Sequence, residues 1–206
     1  DKSGRLLGLE GSEMFRLRDL DGRKLSRRLD KRDQDTEAVE RLADGSYLVT
    51  FEIRHRILAY EDLKARPTEF ATPDELKMAP RNGGLEAMTA LPDGRILVMT
   101  EKLRAKKIND TAAKKSDYVG WLLSADGETL GKIYWPKQGK FRPTDLAAMP
   151  NGDVLMLQRR YSAAGGAGAR VSMIHRDQIT IGNRMADIEL ANMAPPMSVD
   201  NFEGLA

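Results

Sequence analysis

Acidic residues recurring in register are the first candidates for chemistry in these 206 residues. Glu37 and Glu86 each stand seven residues before the aspartate of an Asp-Gly pair, at Asp44-Gly45 and Asp93-Gly94. Glu203 holds the matching place in Glu203-Gly-Leu-Ala206; in another copy Thr144 takes it, with Asp145 displaced by one. Carboxylates gathered at one opening suit a hard cation such as Ca²⁺, which takes about six to eight oxygen ligands and no sulfur. The same acids could instead cap turns by accepting from backbone N–H groups. A displacement of one residue turns a strand side chain to the opposite face, so Asp145 is the irregular member. A second register lies eight residues after each turn Asp or Asn, at Glu52, Glu101 and Arg159, where the charges are expected to face solvent or pair. Arg54-His55-Arg56 and Arg159-Arg160 concentrate donors suited to forked binding of phosphate or carboxylate, with salt bridging to the glutamates as the structural alternative.

Most other chemistry is excluded. There is no cysteine, and His55 and His175 are the only histidines, which rules out thiolate catalysis and cysteine-ligated zinc. No nucleophile elbow, phosphate-cradling Walker loop or zinc-protease helix motif occurs. Gly165, Gly166 and Gly168 read as a connector, because the strand-like Arg170-Val-Ser-Met-Ile follows them and not a helix. Asp19-Leu-Asp21-Gly22 and the Asp30 to Asp35 run resemble pieces of calcium loops, but both lack the closing glutamate of an EF-hand and read as turns. Lys and Arg total 33 against 31 for Asp and Glu, a net charge of +2 with the signs interspersed, so no nucleic-acid partner is expected. The basic stretch from Arg104 to Lys115 reads as a solvated loop. No apolar run reaches the length of a membrane span, and no basic-then-apolar leader follows Asp1.

The elements that must position these residues are set by the same repeat. Leu42-Ala-Asp-Gly, Leu91-Pro-Asp-Gly and Met149-Pro-Asn-Gly each open a very apolar strand, over Tyr47 to Phe51, Ile96 to Met99 and Val154 to Leu157. Such runs imply strands buried on both faces. Asp21-Gly22 and Asp126-Gly127 have alternating flanks and read as outer hairpins, with one face wet. Outer pairs without such a turn are expected at Arg56 to Glu61 with Thr68 to Thr72, and at Val171 to His175 with Met185 to Leu190. Thr72 is expected to cap a helical turn over Pro73 to Met78. An inner and an outer hairpin per unit, with inner turns 49 and 58 residues apart, predict an all-β propeller of four-stranded antiparallel blades. Residues 1–206 would form one propeller domain of about three blades and the start of a fourth, cut at both ends, with missing parts of the same polypeptide supplying the remaining strands.

Arg32-Asp-Gln-Asp-Thr-Glu37-Ala, Phe51-Glu-Ile-Arg-His-Arg-Ile57, Asn82-Gly-Gly-Leu-Glu86-Ala, Phe141-Arg-Pro-Thr-Asp145, Gln158-Arg-Arg-Tyr161 and Asp200-Asn-Phe-Glu-Gly-Leu-Ala206 occur in an order that resembles the phytase-like domain family, esterase-like activity of phytase. The resemblance covers almost the whole chain and implies a secreted or periplasmic bacterial β-propeller. Gln158 departs from it where members often carry Glu before the arginine pair, as does Glu37-Ala-Val where many have Glu-Gly-Leu. The reading that follows is a metal-assisted hydrolase of a phosphate or other ester. Glu37, Glu86 and Glu203 would serve as catalytic and Ca²⁺-binding acids with Asp145 as a further ligand, and Arg54, His55, Arg159 and Arg160 would bind a small anionic substrate. The alternatives are a non-catalytic propeller that binds a ligand or protein at that face, and a lactonase-like carboxylic ester hydrolase, which needs no arginine cluster.

Overall fold

The computed structural model describes residues 11–26, 33–163, 165–197, 199–200 and 202–205. Twelve strands form three four-stranded antiparallel sheets, the blades of an incomplete propeller. The first holds β1 (Thr36–Arg41), β2 (Tyr47–Phe51), β3 (Arg56–Tyr60) and β4 (Thr68–Glu69). The second holds β5 (Leu85–Ala90), β6 (Ile96–Arg104), β7 (Tyr118–Leu123) and β8 (Thr129–Trp135). The third holds β9 (Arg142–Ala148), β10 (Val154–Ser162), β11 (Gly166–Ile174) and β12 (Ile188–Met193). In each sheet the strands neighbour in chain order, and the innermost strands pack side by side, β1 against β5 and β5 against β9.

The repeated turn shows why the sequence repeats. Gly45, Gly94 and Gly152 donate to the carbonyls of Leu42, Leu91 and Met149 at 3.0, 2.9 and 2.8 Å. The glycines sit at φ of 90°, 87° and 89°, the left-handed region that closes a three-residue hairpin loop. The preceding Asp or Asn is required as well. Asp44, Asp93 and Asn151 each accept from the backbone N–H two residues on, at 2.9, 3.1 and 3.0 Å, fixing the turn from the side-chain end.

The second sheet is the middle layer. Ile96 and Val98 of β6 face the first sheet, with Leu48, Ile57, Leu85, Met88 and Trp121, while Leu97 and Met99 face the third, with Trp135, Leu146, Val154 and Met156. Period-two alternation with both sets apolar is what the continuous hydrophobic run required. The outer face of the first sheet is covered by Leu17, Leu20 and Leu25 packed on Val49, Phe51, Leu58 and Tyr60.

Side chains bond the sheets to one another. Glu40 of β1 accepts from the N–H of Ala90 at 2.9 Å, and Thr89, at the equivalent place in β5, accepts from Ala148 at 3.0 Å. Asp145 of β9 accepts from Leu205 at 2.7 Å. Thr50 accepts from Ala38 and donates to the carbonyl of Leu85, both at 2.9 Å, and so ties β1, β2 and β5 together.

Several local expectations are corrected. The hairpin at Asp21-Gly22 is reduced to one bridge between Arg18 and Lys24, because its flanks pack as a cap on the first sheet instead of joining a sheet of their own. Gly166 and Gly168 are not a connector; they belong to β11, paired with Ser162 and Arg160, and the absent side chain at Gly168 leaves room for the Arg160 guanidinium. The helical turn is a 3-10 helix over Asp74–Met78, with Pro73 and not Thr72 as its cap residue. The Lys106, Lys107, Lys114 and Lys115 side chains are exposed, as a solvated loop requires. No helix among the described residues is long and apolar enough to cross a membrane.

Candidate metal centre and cationic cleft

The acid cluster is built by the open end of the first hairpin. Asp35 and Glu37 flank Thr36 at the entry to β1, two residues apart and on one face of the strand. Glu52 follows β2 directly opposite, its N–H donating to the Asp35 carbonyl at 2.7 Å. One carboxylate oxygen from each of Asp35, Glu37 and Glu52 lies within 4.8 Å of the others. The donor set of three carboxylates and no sulfur or imidazole fits a hard cation.

The chain spends backbone strain to aim Glu52. Arg54 N–H closes on the Glu52 carbonyl at 2.7 Å, and Ile53 between them has φ of 64°. A β-branched residue in the left-handed region costs about 1–3 kcal/mol, so surrounding bonds must hold it there. Ile53 N–H donates to the Arg81 carbonyl at 3.1 Å, and the Glu52 carboxylate accepts from Gly84 N–H at 3.2 Å. His55 lies flat against Gly84: a Cβ at that position would sit 2.2 Å from its Nδ1. Its Nε2–H donates to the Pro80 carbonyl at 3.1 Å, and burial holds its pKa below the usual histidine value.

Glu86 of β5 enters from the neighbouring sheet and faces Glu52. Burial first, then the charges of Glu37, Glu101 and Glu52, push its pKa up to about 9. Glu37 keeps an exposed side, yet desolvation and then the charges of Glu52, Asp35 and Glu203 raise it to about 7.

The two sequence registers meet across the sheet interfaces. Glu52 of the first sheet meets Glu86 of the second, and Arg159 of the third meets Glu203 at 2.6 Å while reaching back to Glu86 at 3.8 Å. At the middle interface the first-register residue is Thr144, which offers no carboxylate. Glu101 instead pairs with Arg142 at 3.2 Å and with Lys102. Glu52 and Glu101 are buried at 5 % and 4 % exposure, not solvent-facing. Asp145 is turned to backbone, accepting from Leu146 at 2.8 Å and from Leu205, and lies outside the three-carboxylate cluster.

Beside the acids, a cleft of about 730 Å³ opens between the second and third sheets. Lys102, Arg104, Lys137, Lys140, Arg142, Arg159 and Arg160 line it against Glu101 and Asp200. Two of the guanidiniums are held by aromatic rings. Arg104 lies 3.3 Å from the centroid of Tyr118, which stacks on Trp135, and Arg160 lies 5.5 Å from that of Phe141. Stacked arginines are pre-ordered, so less entropy is lost when an anion binds. Arg54 and His55 do not reach this cleft; they line a separate groove by the Ile53 turn.

The sequence model of the family described as "Phytase-like: Esterase-like activity of phytase" matches residues 1–206. The chain belongs to this family. No curated protein matches this phytase-like chain. Among solved structures it is similar to a crystal structure of a protein of unknown function from Bacteroides caccae, with a TM-score of 0.38 and 12 % identity over 78 % of this chain. The phytase-like chain spans 61 % of that protein's length.

The first register picks Glu37, Glu86 and Glu203 in this phytase-like protein, while Glu52 falls in the second register, where its charge is expected to face solvent or pair, and Asp35 in an acidic run that reads as a turn. Asp35 was readable as the strand neighbour two residues before Glu37, on the same face. Residues 30–32 of the same acidic run lie outside the described residues, and Asp33 pairs with Arg54 at 2.6 Å. Nothing in the sequence marks the turn at Ile53 that draws Glu52 inward.

Proposed function

We propose that this protein is a metal-assisted hydrolase of esters bearing an anionic group, phosphoesters foremost, with Ca²⁺ as the metal. The observation that carries this reading is a three-carboxylate cluster linked through Arg159, whose charge acts on Glu37, to a cleft lined by seven cationic side chains. Asp35, Glu37 and Glu52 would hold the ion. When bound, it supplies Lewis-acid polarisation of the ester and activation of water. Arg104, Arg142 and Arg160 orient the anionic group in the cleft, where partial exclusion of water strengthens each contact. Glu86 lies beside the cluster, its pKa raised first by burial, and Glu203 holds Arg159 across the opening. Hydrolysis adds the hydroxyl of water to phosphorus or the acyl carbon and its proton to the departing alcohol. A partly exposed set of three carboxylates suits the weak Ca²⁺ affinity of extracellular modules, on the order of 10⁻⁴–10⁻³ M, and so a periplasmic or secreted setting.

One observation favours a second reading, a binding module without catalysis: Arg159 already spans Glu86 and Glu203, as inter-sheet pairing alone would require. An assay with an aryl phosphate and an aryl acetate separates the two. A hydrolase turns over at least one of them with Ca²⁺, stops in chelator, and loses about 10²-fold or more in Glu52→Gln and Glu37→Gln. Turnover that is absent throughout, or indifferent to both substitutions, leaves the binding module.

A further inference from the structure

The groove that takes Arg54 and His55 away from the main cleft has a chemistry of its own. It encloses about 450 Å³ between the Ile53 turn and the segment from Thr72 to Arg81. Arg54, Arg56, Lys77 and Arg81 line it, with Asp74 as its acid. Asp33, just outside, offsets Arg54 at 2.6 Å and accepts Arg56 Nη2 on its carbonyl at 2.9 Å. Arg54 and Arg56 are offset from outside the groove by Asp33 and Asp19, which leaves Lys77 and Arg81 against Asp74 and a net positive groove. Arg56 is held over the Phe51 ring at 4.1 Å from its centroid, while Nη1 donates to the Arg54 carbonyl at 2.9 Å.

The backbone fixes this arrangement. The Ile53 N–H bond to the Arg81 carbonyl clamps Arg81 to the turn that carries Arg54, bringing side chains from two distant segments to one groove. Strain maintained at Ile53 thus serves the groove as well as Glu52, and strain of this kind concentrates at ligand sites. Lys77 and Arg81 carry no ion pair among the described residues, so their charges are available to a ligand. We infer that this groove is a second oxyanion-binding site, taking a phosphate or sulfate group, free or esterified, independently of any metal at the acid cluster.

Inorganic sulfate titrated calorimetrically into the full chain, with chelator present, tests this. Saturable binding is expected, with a dissociation constant on the order of 1 mM. Lys77→Ala with Arg81→Ala should weaken it at least tenfold, whereas Arg104→Ala with Arg160→Ala should leave it within twofold. Asp74→Asn removes the opposing charge and should tighten binding two- to threefold, a gain that a misfolded variant cannot mimic. Phosphate in place of sulfate should compete for the same sites. The inference is overturned if no sulfate binds, if Asp74→Asn changes nothing, or if the cleft pair and not the groove pair abolishes binding.

Discussion

Glu86 and Glu37 carry the clearest consequence of the site at the scale of single residues. Both have folded pKa values above the ordinary 4.5, at about 9 and about 7. Between 4.5 and those values the folded chain binds more protons than the unfolded chain, so stability falls as pH rises through that window. The metal-free protein should therefore melt at a lower temperature at pH 9 than at pH 5, and Glu86→Gln should flatten the slope. A divalent ion should reverse the trend, since metal binding favours the deprotonated carboxylates. Calorimetry across pH, with and without Ca²⁺, reads all three effects. Glu52→Gln should in addition lower Ca²⁺ or Tb³⁺ affinity by about tenfold or more, measured by titration. The acids at Glu37, Glu86 and Glu203 were legible because the repeat gives each a fixed distance from a turn. The place of Glu52 beside Glu37 was not, because it is drawn in by a left-handed isoleucine that no pattern of residue types announces.

Strands and turns were more legible, because their causes are local. An Asp or Asn that accepts from the N–H two residues on, followed by a glycine at positive φ, can be read from two letters. The limits lay where packing between distant segments decides. β4 shortens to Thr68–Glu69, and Gly166 and Gly168 become strand, with Arg160 filling the space that Gly168 leaves. Contacts between elements predict where stability resides. Thr50→Val removes both bonds that join β1, β2 and β5 and leaves buried partners unpaired, at a cost of about 1–3 kcal/mol in denaturant unfolding. Asp187→Ala leaves Arg170 of β11, 2.9 Å away and only 8 % exposed in its side chain, without its buried partner and with only the half-exposed Glu189 at 2.9 Å. A loss of about 3–5 kcal/mol is expected, and a change below 1 kcal/mol would place the pair in effective contact with solvent.

For the whole molecule, a net charge of +2 conceals a strongly uneven field. Cations crowd the cleft between the second and third sheets while three acids gather at the open end of the first hairpin. An anionic substrate should thus be drawn in by long-range attraction, and its KM should rise as salt increases, with kcat changing little. Rate measurements between about 0.05 and 0.5 M salt test this, and a neutral ester should show no such dependence. The bonds between sheets have a different use. Ala90 and Ala148 lie on the innermost strand of their sheets, and their amides are bonded not to a neighbouring strand but to a side chain of the preceding sheet. Their hydrogens can exchange with solvent once two sheets part, while the sheets themselves remain folded. In a deuterium-exchange experiment these two alanines should therefore act as clocks for blade separation, running faster than the ladder amides of β6 and β10 and timing a breathing motion that melting curves cannot resolve.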